Sequence, residues 1–285
     1  MNSHNLPPWL KKKKDLSRLR EIKKILRRHR LHTVCEEAKC PNITECFAKR
    51  TATFMILGNI CTRNCRFCAV DHGIPGPVKD DEPEMIADMA KELGLKYAVI
   101  TSVTRDDLPD GGANHFCRII DALKKLREGL RIEVLIPDFN GDYQALEAVL
   151  EKKPDVLNHN LETVRPLYGT VRPGADFDRS LSILRKAREY DSNINVKTGI
   201  MVGLGEKEAE VNALFRLIAG YVDIMTIGQY IAPSQHHLKE SRFYTIQDFE
   251  KLKMMALDAG IRHVICGPFV RSSYNASDVF MNTRE

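Results

Sequence analysis

Three cysteines, Cys61, Cys65 and Cys68, lie in the stretch Cys61-Thr62-Arg63-Asn64-Cys65-Arg66-Phe67-Cys68, directly after an apolar run, Phe54-Met55-Ile56-Leu57-Gly58, that reads as a strand. Intervals of three and two residues on a tight loop make a tripod of thiolates. A structural zinc site or an electron-carrying four-iron cluster takes four protein ligands. A compact set of three therefore implies either a distant fourth residue or a metal with one position left open. A zinc knuckle and a disulfide pair are the ordinary alternatives.

A second triad precedes the first. Cys35, Cys40 and Cys46 are separated by four and five residues, too open for a two-residue zinc knuckle, and again they number three. Six of the eight cysteines fall between residues 35 and 68, a clustering that core packing does not explain. No run approaches the ~18 apolar residues that span a bilayer, and no apolar signal sequence follows the start. A cytoplasmic protein with reduced thiols, and no membrane partner, is the expectation. The net charge of +5 is local in origin: residues 1–34 hold eleven Lys and Arg against two acids, whereas the remainder sums to −4.

Residues 1–14, with Pro7-Pro8, Trp9 and the run Lys11 to Lys14, read as an arm that docks where Trp9 finds a pocket. From Asp15, the residues Leu16, Leu19, Ile22, Ile25 and Leu26 recur at helical spacing among Arg and Lys. A solvated basic face suits this helix better than a nucleic-acid contact, and docking of an acidic protein is a third account. Beyond the cysteines, short Val/Ile-rich strands are expected near 53–58, 96–103, 131–137, 156–162, 195–203, 221–230 and 261–267. Helices are expected near 83–94, 113–128, 142–152, 177–190, 206–219 and 246–259. Crossovers of this length allow parallel pairing, which predicts an α/β fold, either a β/α barrel or an open sheet. Reactive residues in such folds stand at the C-terminal ends of strands.

Several polar motifs fall at those ends. Thr101-Ser102-Val103-Thr104-Arg105-Asp106-Asp107-Leu108-Pro109-Asp110-Gly111-Gly112 follows the second strand; its acids cap the next helix or serve a cation. Asn158-His159-Asn160-Leu161-Glu162 ends the fourth, where Asn160 and Glu162, two apart, should point the same way along a strand. Arg172 in the following loop could meet a carboxylate. Lys197 to Glu206 ends the fifth strand in a loop bearing Gly203 and Gly205, and Gly228 to Leu238 ends the sixth. His236 and His237 are adjacent, so they seldom point together as metal ligands. Cys117 and Cys266, among apolar neighbours, read as core residues.

The Cys61-Cys65-Cys68 spacing, with Phe67 matching the aromatic usual before the last cysteine, resembles that of the radical S-adenosylmethionine (radical SAM) superfamily. With the Cys35-Cys40-Cys46 triad and the terminal Arg271-Ser272-Ser273-Tyr274-Asn275-Ala276, the combination resembles the lipoyl synthase family over nearly the whole span from Cys35 to Ala276. That resemblance implies a partial (β/α)6 TIM-type barrel over 51–268. It also implies a basic N-terminal extension with the first triad (1–50) and a C-terminal extension with the serine motif (269–285). Two [4Fe-4S] clusters are implied. One, on Cys61, Cys65 and Cys68, binds S-adenosylmethionine; the other, on Cys35, Cys40, Cys46 and Ser272, with Ser273 as the fallback, is a sacrificial sulfur donor. Phe67, Ser102, Asp107, Asn160, Glu162, Lys197 and Gly203 are the implied cofactor contacts. The implied reaction inserts two sulfur atoms at C6 and C8 of an octanoyl-lysine. That lysine would belong to a carrier, either a lipoyl domain of a 2-oxoacid dehydrogenase or the glycine cleavage H protein. A ferredoxin or flavodoxin would serve as reductant, and no nucleic acid is involved. Two rivals use part of the pattern: another radical SAM sulfur-inserting enzyme, such as one resembling biotin synthase, and a non-catalytic two-cluster electron carrier or redox sensor.

Overall fold

Each short apolar segment becomes a strand and each amphipathic segment between two of them a helix. The computed structural model describes residues 7–10, 20, 32–33, 42, 45–46, 51–126 and 129–282. Cys35, Cys40 and most of the basic segment at 16–26 lie outside the described residues. The chain divides into two compact units, one of Lys13–Arg63, Val70–Leu157 and Asn275–Glu285, the other of Met1–Lys12, Asn64–Ala69 and Asn158–Tyr274.

In the first unit, strands β1 (Thr51–Ile56), β2 (Tyr97–Ser102) and β3 (Arg131–Leu135) alternate with helices α1 (Glu82–Glu92), α2 (Ala113–Lys124) and α3 (Tyr143–Glu151). The strands run parallel in the order β1, β2, β3, with Thr51 opposite Tyr97 and Tyr97 opposite Arg131. Every residue of β1 is buried, as expected of a parallel strand covered on both faces. The two-residue strand His32–Thr33 adds to β1 antiparallel, beside Met55 and Phe54. Helix α7 (Ala276–Asn282), near the C-terminus, belongs to this unit. Its Phe280 ring lies 5.9 Å from that of Tyr97, and the Arg131 guanidinium lies 5.6 Å from the Phe280 ring centre. Strand β4 (Val156–Asn158) begins here and ends in the second unit.

The second unit continues with α4 (Phe177–Tyr190), β5 (Asn195–Val202), α5 (Glu208–Ile218), β6 (Ile224–Gln229), α6 (Ile246–Asp258) and β7 (His263–Gly267). Strand β6 pairs parallel with β5 on one side and β7 on the other, so that Gly228 faces Met201 and Gly267. The α/β expectation of parallel strands joined by helices is met in both units. No helix among the described residues is long and apolar enough to cross a membrane.

One expected strand is shorter. Instead of running from 156 to 162, β4 stops at Asn158, and Glu162 returns to β5 only as a single bridge to Ile200. The cause is local: Glu162 has φ 67°, a left-handed conformation that a strand cannot hold, and Thr163 N–H closes a tight turn on the Leu161 carbonyl at 2.8 Å. Thr198 bridges the interruption by donating from Oγ1 to the His159 carbonyl and accepting from Leu161 N–H.

Candidate active site

The backbone reaches the cysteine loop through a sharp turn after β1. Leu57 has φ 65° and Gly58 φ 93°, and both polar groups of Leu57 are tied. Its N–H donates to the Glu82 carboxylate at 2.9 Å and its carbonyl accepts from Arg105 Nη1 at 3.1 Å. The buried Glu82 carboxylate also meets His115 Nε2 at 2.7 Å. Gly112 leaves the room that the Leu57 side chain fills, since a Cβ there would overlap it.

The chain then enters the strand Ile60–Cys61, which pairs parallel with Asp71–His72. The Cys61 sulfur accepts two backbone N–H groups, from Arg63 at 3.4 Å and Thr104 at 3.3 Å. Thr62 is bound to the loop after β2 by its N–H and its hydroxyl, each 3.0 Å from the Thr104 carbonyl, while Asp106 N–H donates back to the hydroxyl. Arg63, 8 % exposed, makes two hydrogen bonds to Asp106 (2.7 and 2.8 Å) and two to Asp138 (2.9 and 2.7 Å). Burial works against its charge, but hydrogen bonds to Asp106 and Asp138 outweigh it, so Arg63 stays protonated. Sequence reasoning passed over Arg63 and Asp138. The signal available was that Asp138, like Asp106, follows the end of a parallel strand.

Cys65 and Cys68 belong to the second unit. Cys68 N–H closes a turn on the Cys65 carbonyl at 3.0 Å, with Phe67 half-buried within it. Arg66 is held through its backbone, its N–H on Val171 and its carbonyl under Leu238 N–H. His237 Nε2 lies 2.9 Å from the Cys68 carbonyl and Nδ1 2.8 Å from Ser234 Oγ. A carbonyl only accepts, so Nε2 donates its N–H to Cys68. His237 thus orients the cysteine turn. Cys46, Cys61, Cys65 and Cys68 are all half-buried thiols outside any disulfide. Among the described residues no group of three or more His, Cys, Asp or Glu side chains is gathered as a metal site.

A second polar centre in this unit joins Asn160, Glu162 and Ser272. Asn160 Nδ2 donates to Glu162 Oε1 at 3.0 Å and to Ser272 Oγ at 2.8 Å. The pair expected to share a strand face therefore does meet, but across the left-handed turn. Asn160 Oδ1 is buried without a hydrogen-bond partner. Arg172 Nη1 donates to the Asn160 carbonyl at 2.9 Å and to Tyr168 OH. Burial raises the Glu162 pKa, opposed by Arg172, the Asn160 hydrogen bond and Arg271. Gly199 supplies space at the base of the centre, where a Cβ would overlap Thr226 Oγ1 and crowd Asn160 Oδ1.

The remaining expected contacts are dispersed. Ser102 ends β2 with its Oγ buried and unpartnered. Asp107 is taken by Arg105, whose hydrogen bond lowers the carboxyl's pKa. Asp110 is a cap, accepting from Gly112 N–H and Asn114 N–H. Lys197 is buried in β5. Gly203 has φ 97°, and a Cβ there would overlap Gln229 Nε2 and the Arg242 carbonyl; its N–H donates to Glu206, which also accepts from Leu204 N–H and Tyr244 OH. Cys117 and Cys266 donate to the carbonyls of Ala148 and Phe249, and burial pushes the Cys266 thiol up to about 12. Alkylation of the cluster-free chain at pH 8, read by mass spectrometry, should label Cys61, Cys65 and Cys68 and spare Cys117 and Cys266 until denaturant is added. Cys117 is buried as expected of a core residue but Cys266 is only half-buried, so labelling of Cys266 in the folded chain would show that its raised pKa and its hydrogen bond to Phe249 do not protect it.

The radical SAM superfamily model matches residues 55–218. The lipoyl synthase of Caldanaerobacter subterraneus subsp. tengcongensis is 52% identical over 271 residues, covering 95% of each chain. That of Caldicellulosiruptor bescii is 50% identical over 284 residues, covering 98% of each. Two solved structures share the fold at 16% identity. The hydrogenase maturase HydG of Carboxydothermus hydrogenoformans has a TM-score of 0.59, covering 93% of this chain and 79% of its own. Methylornithine synthase (PylB) has a TM-score of 0.51, with coverage of 86% and 81%. With a superfamily match over more than half its length and relatives at half identity over nearly all of it, this chain is a radical SAM sulfurtransferase belonging to the lipoyl synthase family.

Proposed function

We propose that the chain inserts two sulfur atoms at C6 and C8 of an octanoyl-lysine on a lipoyl-carrier protein, using S-adenosylmethionine and two [4Fe-4S] clusters. The single observation that carries this reading is the presence in one chain of both cysteine triads together with Ser272, the set that the family resemblance implies. The donors fit. Cys61, Cys65 and Cys68 are thiols outside any disulfide, the soft ligands an iron–sulfur cluster takes, and three of them would leave one iron open to a substrate. Cys35, Cys40 and Cys46 would hold the auxiliary cluster, with Ser272 as its fourth ligand through a hard oxygen. The unpartnered Ser102 Oγ and Asn160 Oδ1 suit the polar groups of a cofactor, as does Glu162. Phe67, Asp107, Lys197 and Gly203 complete the proposed contact set.

When bound, the clusters and S-adenosylmethionine supply a deoxyadenosyl radical and the sulfur. An unactivated C–H bond has no acidic proton, so no general base of this chain is needed for it. The chain's own residues position and shield: Glu82, Arg105 and Arg63 fix the Cys61 loop, His237 orients the Cys68 turn, and Asn160 holds Ser272. The organisation follows as a basic extension (1–50), a radical SAM partial barrel (51–268) and a C-terminal extension (269–285). A carrier lipoyl domain or glycine cleavage H protein is the substrate, a ferredoxin or flavodoxin the reductant, and the cytoplasm the location.

The test is anaerobic reconstitution, then reduction with S-adenosylmethionine and an octanoyl-lysyl peptide, following iron, 5'-deoxyadenosine and product mass. Two clusters and a gain of two sulfurs are expected. Cofactor cleavage without sulfur gain would retain the superfamily chemistry and refute the substrate. Absence of cleavage with both clusters intact would favour an electron carrier or sensor.

A further inference from the structure

We propose that Arg63 is a positioning residue for the radical-generating centre. Clamped between Asp106 and Asp138, it sets the loop so that the backbone N–H groups of Arg63 and Thr104 are held on the Cys61 sulfur. The inference rests on the reading of Cys61 as a cluster ligand.

Arg63 follows β1, Asp106 follows β2 and Asp138 follows β3, so one guanidinium ties together the loops at the C-terminal ends of three successive strands. Asp138 is fully buried and Asp106 retains 30 % side-chain exposure. A buried charge cluster is expensive unless its geometry is good, and here both carboxylates are met by paired N–H bonds. Lysine keeps the charge but lacks the planar fork, and cannot span both acids with the same geometry. The product of this clamp is specific. Thr62 and Asp106 interlock, Thr104 is brought beside Cys61, and two amide N–H groups point at its sulfur. Hydrogen bonds to a thiolate ligand withdraw electron density, so the cluster it holds accepts an electron more readily. Arg63 thus acts on reduction, the step that precedes cleavage of S-adenosylmethionine, without touching the substrate.

The experiment uses the full chain with Cys35, Cys40 and Cys46 replaced by alanine, so that only the Cys61 triad can hold a cluster. Arg63→Lys and Asp106→Asn are made in that parent. Iron content, a redox titration followed by electron paramagnetic resonance, and 5'-deoxyadenosine formation are measured. Arg63→Lys should keep its iron, reduce at a lower potential and cleave S-adenosylmethionine about 10-fold more slowly with a flavodoxin-type donor. Titanium(III) citrate, a stronger reductant, should restore the rate, which a misfolded loop would not allow. Asp106→Asn, at the more exposed partner, should shift the potential the same way by less, and decides the question alone if Arg63→Lys fails to fold. An unchanged potential in a variant that retains iron would overturn the inference. A folded parent that assembles no cluster would instead overturn the cluster reading, and this inference with it.

Discussion

Gly228→Ala should cost about 3 kcal/mol of stability and cut sulfur insertion ~100-fold, while 5'-deoxyadenosine formation falls far less. Gly228 lies in β6, next to the last residue of the strand, and a Cβ there would overlap the Val270 carbonyl oxygen, press its carbonyl carbon and stand 3.3 Å from Arg271 Nη1. The obstacle is backbone, so a rotamer change cannot relieve it. Either β6 leaves its register with Met201 and Gly267, or the Val270–Ser272 segment moves outward. The second is easier, because a loop yields before a central parallel strand. Ser272 then leaves Asn160 Nδ2, which lies 2.8 Å from its oxygen. The proposed fourth ligand of the auxiliary cluster would be displaced with the Cys61 side untouched. Urea unfolding gives the stability term, and the ratio of sulfurated product to 5'-deoxyadenosine gives the functional one. A ratio equal to that of the parent would show that the serine motif tolerates the shift.

Glu82→Ala should lower stability by about 3 kcal/mol, which is large for one side chain at the start of a helix. Its carboxylate accepts the Leu57 N–H and meets His115, and both partners are buried. Alanine leaves an unsatisfied amide at a residue already in the left-handed region, where a branched side chain is disfavoured. The strain at Leu57 is held by its two tethers, and losing one lets the turn into the Cys61 loop relax. Leu57 N–H and His115 Nε2 share the one oxygen Oε2, so Glu82→Gln can keep both contacts with its amide oxygen in that place and should lose only about 1 kcal/mol. Denaturant titration of the two variants distinguishes hydrogen-bond loss from lost bulk. If alanine and glutamine behave alike, the hydrogen bonds are not what holds this turn.

Periodicity made the strands and helices legible, because burial on both faces of a parallel strand writes itself as a Val/Ile run. Strand ends then told which polar residues would stand near the chemistry. What the sequence withheld were pairings across long stretches of chain. Arg63 meets acids 43 and 75 residues away, and Asn160 meets Ser272 112 residues away. No local pattern encodes these, since each is fixed by loops at neighbouring strand ends. Asn160 and Glu162 were matched on the assumption of a continuous strand. They converge because Glu162 turns left-handed, a choice visible only once its carboxylate has the Asn160 amide as donor. The proposed roles of the triads and the serine rest on family likeness, whereas Asp110 was legible from the sequence as a helix cap.

Trp9 is the only tryptophan in the chain. Its indole N–H donates to the Tyr244 carbonyl at 3.2 Å, its ring stays 41% exposed, and Leu10 beside it is buried. The chain therefore contains one indole fluorophore, its N–H held by the Tyr244 carbonyl within the second unit. Excited at its red edge, where tyrosine does not absorb, its emission will report the seating of the Trp9 ring on Tyr244. A partner that lifts the Trp9 ring from Tyr244 would shift that emission to longer wavelength, making its engagement readable in real time without a dye or a label.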